Sequence, residues 1–290
     1  MGPAWSIGDL SHQFGSLLVA NDEVIHSRDN ALLKRIRQLQ LLGSKGQKAR
    51  VEYGQAVIDG IHVLQVWSGD IRLRSLITSK SAQTYQEIKD LIGQHLERCP
   101  NTQVHWVDEA LWSSITELDN APQIMGLIDL ERTKTNQKII TGDALVLDGI
   151  QDAGNVGTIL RTALACHFKQ IICTIGTAHV WSPKVLRAAM GAHRYLQLYE
   201  GWSMNDVVSN IEAPLLATTM LAKDDLYSIA NSLKNPVAWI FGNEGQGVSE
   251  DLLVQAKQIR IPQNPEIDSL NVATAAAVCL YETIRVRTIQ

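Results

Sequence analysis

Residues 144–166 read ALVLDGIQDAGNVGTILRTALAC, a strand, a loop and a helix in direct succession. The first four residues form a continuous apolar run, as expected of a strand that helices cover on both faces. The loop holds Gly149, Gly154 and Gly157, and the sequence predicts a helix over about 156–166. Ligands of open α/β sheets bind at the carboxyl ends of the strands. This loop is therefore a candidate binding segment.

Two later segments repeat this design. Residues 240–249 read IFGNEGQGVS and residues 261–271 read IPQNPEIDSLN, and each leads from an apolar strand toward a helix. A single glycine-containing loop is as often a tight turn as a site, but three polar loops in order favour one shared crevice. The glycines are spaced GxxG and GxxGxG rather than GxGxxG, and no carboxylate lies at 173–178, near where a dinucleotide site requires one. The spacing therefore argues against a standard NAD site and disfavours an oxidoreductase.

Strands and helices alternate along most of the chain, which predicts two α/β domains. In the C-terminal part the predicted strands are 144–147, 170–175, 196–199, 215–219, 237–241 and 258–261. The predicted helices there are 156–166, 183–190, 204–210, 249–256 and 272–285. In the N-terminal part the predicted helices are 30–42, 61–67, 81–97 and 108–115, and the apolar strands are 55–60, 72–77, 102–107 and 124–130. Asn30 is the expected N-cap of the first helix and Gly43 its expected stop.

Polar, non-periodic segments set the predicted domain boundaries. We assign residues 1–26 to a loose arm, 27–130 to the first domain, 131–139 to a linker and 140–290 to the second domain. No apolar run approaches the ~20 residues that cross a bilayer. Four cysteines without a CxxC pair argue against a metal cluster or a disulfide framework and favour buried thiols in the cytoplasm.

The charge balance does not by itself indicate a nucleic-acid-binding protein. The net charge is −4, so an RNA site must be a local basic patch. Residues 28–50 contain seven basic residues against one acidic residue, Asp29. We predict an RNA-binding surface there, centred on Lys34, Arg35 and Arg37, against the alternative of a solvated helix face.

The three polar loops together resemble, in order and spacing, the three motifs of the SpoU (TrmH-like) branch of the SPOUT RNA methyltransferases. The first motif matches residues 148–163, the second 241–247 and the third 261–282. The resemblance covers about residues 140–290. Ala153 stands where the family usually has proline, and Pro265 where it usually has glycine. The N-terminal half resembles, less specifically, the small L30e-like RNA-binding domain of many members, through Asn30, Lys34 and residues 53–63.

This resemblance implies a fold and a cofactor. The fold class would be α/β, with a C-terminal α/β trefoil-knot (SPOUT) domain preceded by a smaller L30e-like α/β domain. The cofactor would be S-adenosyl-L-methionine (SAM), no metal would be needed, and the enzyme would be a homodimer. The residues expected against SAM are Gly242, Ile261 and Leu270, with Thr218 on a further side of the pocket.

The resemblance also implies catalytic residues, namely Arg161, Asn155, Glu244, Ser269 and Asn271. The family assigns Arg161 to preparing the 2′-hydroxyl. Because arginine does not readily lose a proton, we expect it to grip a neighbouring phosphate and stabilise the developing alkoxide. Asn155 and Glu244 would fix the loops and Arg161, with Glu244 as the carboxylate partner of Arg161. Ser269 and Asn271 would cap the last helix, contact the ligands, or both.

The predicted function is methylation of a ribose 2′-hydroxyl in RNA. Large-subunit (23S) ribosomal RNA is favoured, because an L30e-like domain suits a structured stem-loop. Transfer RNA is the alternative substrate, and a non-catalytic RNA-binding or ribosome-assembly protein of the same fold is the alternative class.

Overall fold

The structure is a computed structural model that describes residues 24–116, 123–130 and 139–288. The chain divides into two compact units, Met1–Glu131 and Arg132–Gln290. Most of the predicted arm and linker, residues 1–23 and 131–138, lies outside the described residues. The prediction of a loose arm was wrong at Val24–Ile25, which form a short strand paired with Trp106 and Val107. The fold class is α/β, as predicted.

The first unit is built on a mixed five-stranded sheet in the order β1-β4-β3-β5-β2. Strand β5 runs antiparallel to both of its neighbours, whereas β1, β3 and β4 are parallel. Its strands are β1 (Val24–Ile25), β2 (Gln55–Asp59), β3 (Leu73–Ser79), β4 (Gln103–Val107) and β5 (Ile124–Asp129). Its helices are α1 (Ala31–Gln40), α2 (Gly43–Tyr53), α3 (Ile61–Trp67), α4 (Gln86–Arg98) and α5 (Glu109–Trp112), with a 3-10 turn at Ser81–Thr84.

Helix α1 begins at the predicted cap but ends earlier than predicted. The Asn30 side chain accepts a hydrogen bond from the Leu32 N–H at 2.8 Å, and Leu33, Ile36 and Leu39 bury the apolar face. Gly43 is not the stop of this helix; it is the first residue of α2. The sequence did not predict α2, because its residues lack an apolar period.

Arg50 is buried and joins α2 to the end of α1. Its guanidinium donates to the carbonyl oxygens of Leu39 at 2.5 Å and Leu41 at 3.2 Å. Only 1% of the residue is exposed. Arg50 therefore satisfies carbonyls at a helix end and does not belong to the predicted basic surface.

The second unit is built on a seven-stranded parallel sheet in the order β10-β12-β9-β11-β6-β7-β8. Its strands are β6 (Ala144–Asp148), β7 (Gln170–Thr174), β8 (Gln197–Trp202), β9 (Leu215–Thr218), β10 (Asp224–Asp225), β11 (Ala238–Gly242) and β12 (Lys257–Arg260). Its helices are α6 (Ala153–Ala165), α7 (Pro183–Ala188), α8 (Met204–Asn210), α9 (Glu250–Gln255) and α10 (Val272–Thr288), with 3-10 turns at Ala192–Arg194 and Ser232–Lys234. All six predicted strands are present, and the short edge strand β10 is an addition.

Both faces of this sheet are buried. Along β6, Leu145 and Leu147 join one hydrophobic cluster, and Ala144 and Val146 join another. This alternation places helices on both sides of the sheet, which explains why the strands read as continuous apolar runs. The described helices include none that is long and apolar enough to span a bilayer.

Helix α10 is tied to the sheet near its carboxyl end. The Trp239 indole N–H donates to the Thr283 hydroxyl at 3.1 Å. Arg287 binds the Asp143 carboxylate with two bonds of 2.6 and 2.9 Å, and donates to the carbonyls of Leu233 and Asn235 at 2.8 and 2.7 Å. The helix therefore has a defined position, and its first residue is held relative to the strand ends.

Candidate active site

The first and second polar loops begin side by side. Strands β6 and β11 are paired in parallel register, and Asp148 lies opposite Gly242 at their carboxyl ends. The buried Asp148 carboxylate accepts from the Thr174 hydroxyl at 2.9 Å and from the Ser249 N–H at 2.8 Å. Asp148 thus joins the start of one loop to the end of the other.

Asn243 joins these loops a second time. Its side-chain amide donates to the Gly149 carbonyl at 2.8 Å, and its Oδ1 accepts from the N–H groups of Gly245 and Gln246 at 2.9 and 3.1 Å. The segment closes on itself, because Asn243 and Gly247 exchange backbone hydrogen bonds of 3.0 and 2.9 Å. Both loops are therefore held as one rigid unit.

Gly242 is required by this closed hairpin. A Cβ atom at Gly242 would lie 2.1 Å from the Val248 nitrogen and 2.1 Å from the Gly247 carbonyl carbon. Those are backbone atoms, which cannot rotate away. Gly247 adopts φ +74°, a conformation that favours glycine.

Asn155 links all three polar loops. It lies in the first turn of α6 and donates from Nδ2 to Glu244 at 2.9 Å. Its Oδ1 accepts from the side-chain amide of Asn271 at 3.0 Å. Three residues predicted from the sequence as one site therefore form one hydrogen-bonded chain.

The carboxylate of Glu244 faces the amino end of α6. Besides Asn155, it accepts from the N–H groups of Gln151 and Asp152, each at 3.3 Å. Desolvation raises the pKa of Glu244, but the hydrogen bonds outweigh it and leave the pKa below its usual value. Glu244 is therefore ionised at neutral pH and complements the positive end of the helix dipole.

The amino end of α6 has a second carboxylate, which the sequence analysis missed. Asp152 is the N-cap and accepts from the Asn155 N–H at 2.8 Å, while Lys184 of α7 binds its other oxygen at 3.1 Å. These contacts lower the pKa of Asp152. An aspartate directly before a helical period is a known N-cap signal, so the position was recognisable.

The third loop ends at Asn271, which caps α10. Its Oδ1 accepts from the N–H groups of Ala273 at 2.9 Å and Thr274 at 3.2 Å. The same side chain therefore starts the helix and contacts Asn155. Ser269 is exposed two residues earlier, and within the described part of the chain it makes no side-chain hydrogen bond.

The two departures from the family pattern fit their positions. Residues 264–267 form a turn in which the Ile267 N–H donates to the Asn264 carbonyl at 3.1 Å. Pro265 occupies the second position of this turn, where proline is preferred and no N–H is needed. Ala153 is the first residue of α6, a position that proline often fills because its N–H would be unpaired.

Arg161 lies on the exposed side of α6, six residues beyond Asn155 and roughly 9 Å further along the helix axis. Its expected ion pair with Glu244 is absent, and that expectation was wrong. Within residues 24–116, 123–130 and 139–288 the guanidinium has no hydrogen bond or ion pair. The network of Asn155 is thus separate from Arg161, whose donors remain available to a ligand.

The residues predicted to contact SAM lie along adjacent strand ends. Thr218 ends β9, Gly242 ends β11 and Ile261 follows β12, and these three strands are neighbours in the sheet. Leu270 directly precedes Asn271. Gly242 is buried, and the other three are half-buried. The edge therefore offers backbone polar groups between partly exposed apolar side chains.

The predicted RNA-binding residues lie on α1 of the first unit. Lys34 is exposed and pairs with Asp29 at 2.8 Å. Arg35 donates to Gln55 at 3.3 Å and its guanidinium lies 5.5 Å from the centre of the Tyr53 ring. Arg37 donates to the carbonyl of Arg28. All three are accessible to some degree, and none is buried as Arg50 is.

Comparison with known proteins agrees with this geometry. The family model described as the SpoU rRNA Methylase family matches residues 143–281. An uncharacterised tRNA/rRNA methyltransferase of Synechocystis is 30% identical over 271 residues, which cover 90% of this chain and 93% of that protein. A 23S rRNA guanosine 2′-O-methyltransferase of Bacillus subtilis is 29% identical over 67% of this chain and 79% of its own length.

A solved structure extends the likeness over nearly the whole chain. The AdoMet-bound rRNA methyltransferase of Sinorhizobium meliloti superposes with a TM-score of 0.73 at 26% identity. The match covers 91% of this chain and 97% of that structure. With the three motifs joined at one sheet edge, these matches show that the chain belongs to the SpoU rRNA methylase family.

Proposed function

We propose that this protein transfers the methyl group of SAM to a ribose 2′-hydroxyl of large-subunit ribosomal RNA. The observation that carries the proposal is the hydrogen-bonded chain Glu244–Asn155–Asn271, which gathers three separate loops at the carboxyl ends of parallel strands. That edge is where open α/β sheets bind their ligands. The relative from Bacillus subtilis is named for the same reaction on 23S rRNA.

The strand ends suit SAM in their chemistry. Ile261 and Leu270 offer apolar walls for an adenine ring, and the backbone of residues 242–247 and 261–270 offers neutral hydrogen-bonding groups for adenine and ribose. Thr218 closes the side formed by β9, where its hydroxyl donates to the Ile240 carbonyl at 3.3 Å. When bound, SAM supplies a methyl group that is already activated for displacement, so no metal is needed.

Arg161 is the proposed catalytic residue. Its planar guanidinium would bind a phosphate next to the reacting nucleotide with two parallel bonds and stabilise negative charge on the 2′-oxygen. SAM would supply the methyl group, whose carbon would bond to the 2′-oxygen as its bond to sulfur breaks, and the hydroxyl proton would pass to phosphate or water. The protein must hold the oxygen within about 3–3.5 Å of the methyl carbon.

Asn155, Glu244 and Asn271 are proposed to hold the loops for this reaction. Asn155 is fixed from both sides, so the first turn of α6 has one position relative to the other two loops. Ser269 is exposed beside Asn271 and is the proposed contact to the target nucleotide. A small misplacement of these groups would slow methyl transfer, because the reaction needs a near-attack geometry.

The first unit is the proposed substrate-binding domain, L30e-like in fold, with Lys34, Arg35 and Arg37 as contacts to RNA phosphates. The second unit would be the trefoil-knot catalytic domain.

We also propose a cytoplasmic homodimer that associates through α10. That helix is apolar on more than its sheet-facing side: Ala277 is half-buried, and 56% of Tyr281 is exposed.

Two measurements with the purified chain test the proposal. Calorimetry should show binding of SAM. Incubation with tritiated SAM should label a 23S rRNA transcript, and mapping should locate the label on a ribose 2′-oxygen. If only tRNA is labelled, the substrate is tRNA rather than 23S rRNA, and the proposed reaction still holds. Failure to bind SAM would overturn the proposal in favour of a non-catalytic RNA-binding protein.

A further inference from the structure

A groove of about 440 Å³ lies in the first unit, where β1, the start of α1 and β4 meet. Its lining includes Ile25, His26, Asn30, Leu32, Val104 and His105. None of the residues that match the three motifs of the methyltransferase family lines this groove. The function proposed above therefore assigns no ligand to this groove.

His105 is the central polar group of the groove. It is half-buried on β4, and within the described residues its ring has no hydrogen-bond partner. Burial lowers the pKa of His105, so the ring is neutral at neutral pH. A neutral imidazole offers one donor and one acceptor, and both are available to a ligand.

Asn30 is a second polar residue in the lining of the groove. The Oδ1 atom of Asn30 is used by the Leu32 N–H as a helix cap. Its amide nitrogen has no partner among the described residues, which leaves two N–H donors. His26 is fixed differently, because its Nδ1 lies 2.9 Å from an oxygen of Asp108. The groove therefore presents a small set of donors and acceptors beside the hydrogen bond between His26 and Asp108.

Apolar side chains form part of the remaining lining, which also includes Ser27. Ile25, Leu32 and Val104 are all half-buried, so each leaves part of its side chain open to the groove. Arg28 and Lys34 are exposed within four residues of Asn30 along the chain. The groove therefore combines three apolar side chains with neutral hydrogen-bonding groups, and two exposed cations lie close to Asn30 along the chain.

We propose that this groove holds one unstacked base of the RNA substrate, with His105 and Asn30 reading the base edge. The inference rests on the proposed function, since it takes the ligand to be RNA. A nucleobase has apolar faces, which match Ile25, Leu32 and Val104, and an edge of donors and acceptors, which matches His105 and Asn30. The exposed Arg28 and Lys34, close to Asn30 along the chain, offer positive charge for the attached phosphate. Sequence-specific proteins read RNA mainly through such unstacked bases.

The test uses the full chain and a fluorescein-labelled, unstructured 12-nucleotide RNA that contains all four bases. Fluorescence anisotropy should give a Kd about tenfold weaker for His105→Ala, because a hydrogen-bonding group and its packing are lost. Asn30→Ser should show a similar loss while keeping the helix cap, since serine also caps. Gln103→Ala is the matched control: Gln103 is exposed on the same face of β4 but does not line the groove.

Salt dependence separates base contacts from phosphate contacts. Each phosphate contact contributes about 0.7 to the slope of log Kd against log salt for single-stranded nucleic acid. His105→Ala should leave this slope unchanged, whereas Lys34→Gln should reduce it. The same RNA annealed to its complement should bind His105→Ala and the wild-type protein equally.

The proposal is overturned if His105→Ala binds the single strand as tightly as the wild type. It is also overturned if His105→Ala weakens binding of the duplex as much as binding of the single strand. Loss of binding to a protein partner by the groove variants, with RNA binding unchanged, would overturn it as well. Calorimetry of SAM binding by each variant checks that the second unit remains folded and able to bind its cofactor. If the wild-type chain binds no RNA at all, the proposed function itself fails, and the two failures remain distinct.

Discussion

The side-chain amide of Asn155 donates to Glu244 across 2.9 Å, although 89 residues separate them along the chain. This bond connects the first turn of α6 to the hairpin at the end of β11. Glu244 receives its other hydrogen bonds from backbone groups of the same turn. The carboxylate is thus the point at which two loops are held together.

Replacing Asn155 by aspartate should abolish this contact. The new carboxylate would face that of Glu244, and the loops would separate. We expect kcat for methyl transfer to fall on the order of 100-fold, because misplacement of about 1 Å has that effect. Steady-state kinetics measure the loss. If the two residues act through their mutual bond, Asn155→Ala combined with Glu244→Gln should be no slower than the slower single variant; additive losses would contradict this.

Arg161→Lys should retain SAM binding and lose most methylation. Lysine keeps the charge but lacks the planar pair of donors that binds phosphate with two bonds. Calorimetry should give an unchanged Kd for SAM, and tritium transfer should fall by at least about tenfold, the equivalent of one charge-assisted hydrogen bond. If Arg161→Lys turns over at nearly the wild-type rate, Arg161 has no role in the reaction.

Gly242→Ala should destabilise the second unit by about 3 kcal/mol, since the added carbon overlaps backbone atoms that cannot move aside. Gly245→Ala is the matched control in the same hairpin, where the nearest atom to an added Cβ is 3.6 Å away. Urea unfolding monitored by tryptophan fluorescence compares the two. Equal stabilities would show that the hairpin rearranges.

Arg287→Ala should lower the free energy of unfolding by about 2 kcal/mol. The change removes a bidentate pair with Asp143 and leaves two carbonyls without a donor. Lys257→Ala, which breaks an exposed pair with Asp224, should change stability by less than about 0.5 kcal/mol. The same unfolding assay measures both variants, and similar effects would argue that the α10 contact is as weak as a surface pair.

Stability should decline on moderate acidification because of His193. Burial lowers the pKa of His193 from 6.5 to about 4, despite an opposing hydrogen bond to the Val180 carbonyl. Between these two values the unfolded chain binds a proton that the folded chain excludes, so stability falls as pH drops and levels off below about 4. From pH 6.5 to 5 the loss should be on the order of 2 kcal/mol.

His193→Gln tests this dependence, since glutamine can donate to Val180 but does not titrate. The variant should lose less stability than the wild type between pH 6.5 and 5. His167→Asn is the control: it removes an exposed histidine with φ +63°, a conformation that asparagine tolerates, and it should behave like the wild type. A wild-type slope retained in His193→Gln would assign the effect to other groups.

Much of the second unit was predictable, because each strand is a continuous apolar run and each polar loop follows one directly. Asn155, Glu244 and Asn271 were found from their motifs, and the structure places them in one network. The other partners of Glu244 were not predictable: besides the Asn155 side chain, it accepts hydrogen bonds from backbone N–H groups at residues 151 and 152, which no pattern of side chains reveals. The expected pairing with Arg161 failed for that reason.

The first unit was harder to predict at its polar helix. Residues 43–53 have no apolar period, so α2 was missed, and its position depends on one buried arginine. Arg50 counted as a surface charge in the sequence, yet it binds the last carbonyls of α1. A charged residue takes such a role only when a neighbouring helix end lies within reach, which is a tertiary fact.

Helix α10 connects the candidate active site at one end with the Asp143 contact at the other. Asn271 and Arg287 are 16 residues apart, or roughly 24 Å along a helix. A disturbance at the far end, such as an affinity tag fused behind the helix, would be transmitted as tilt to the asparagine that touches Asn155. Tagged and cleaved preparations should therefore be compared before any turnover number is attributed to the enzyme.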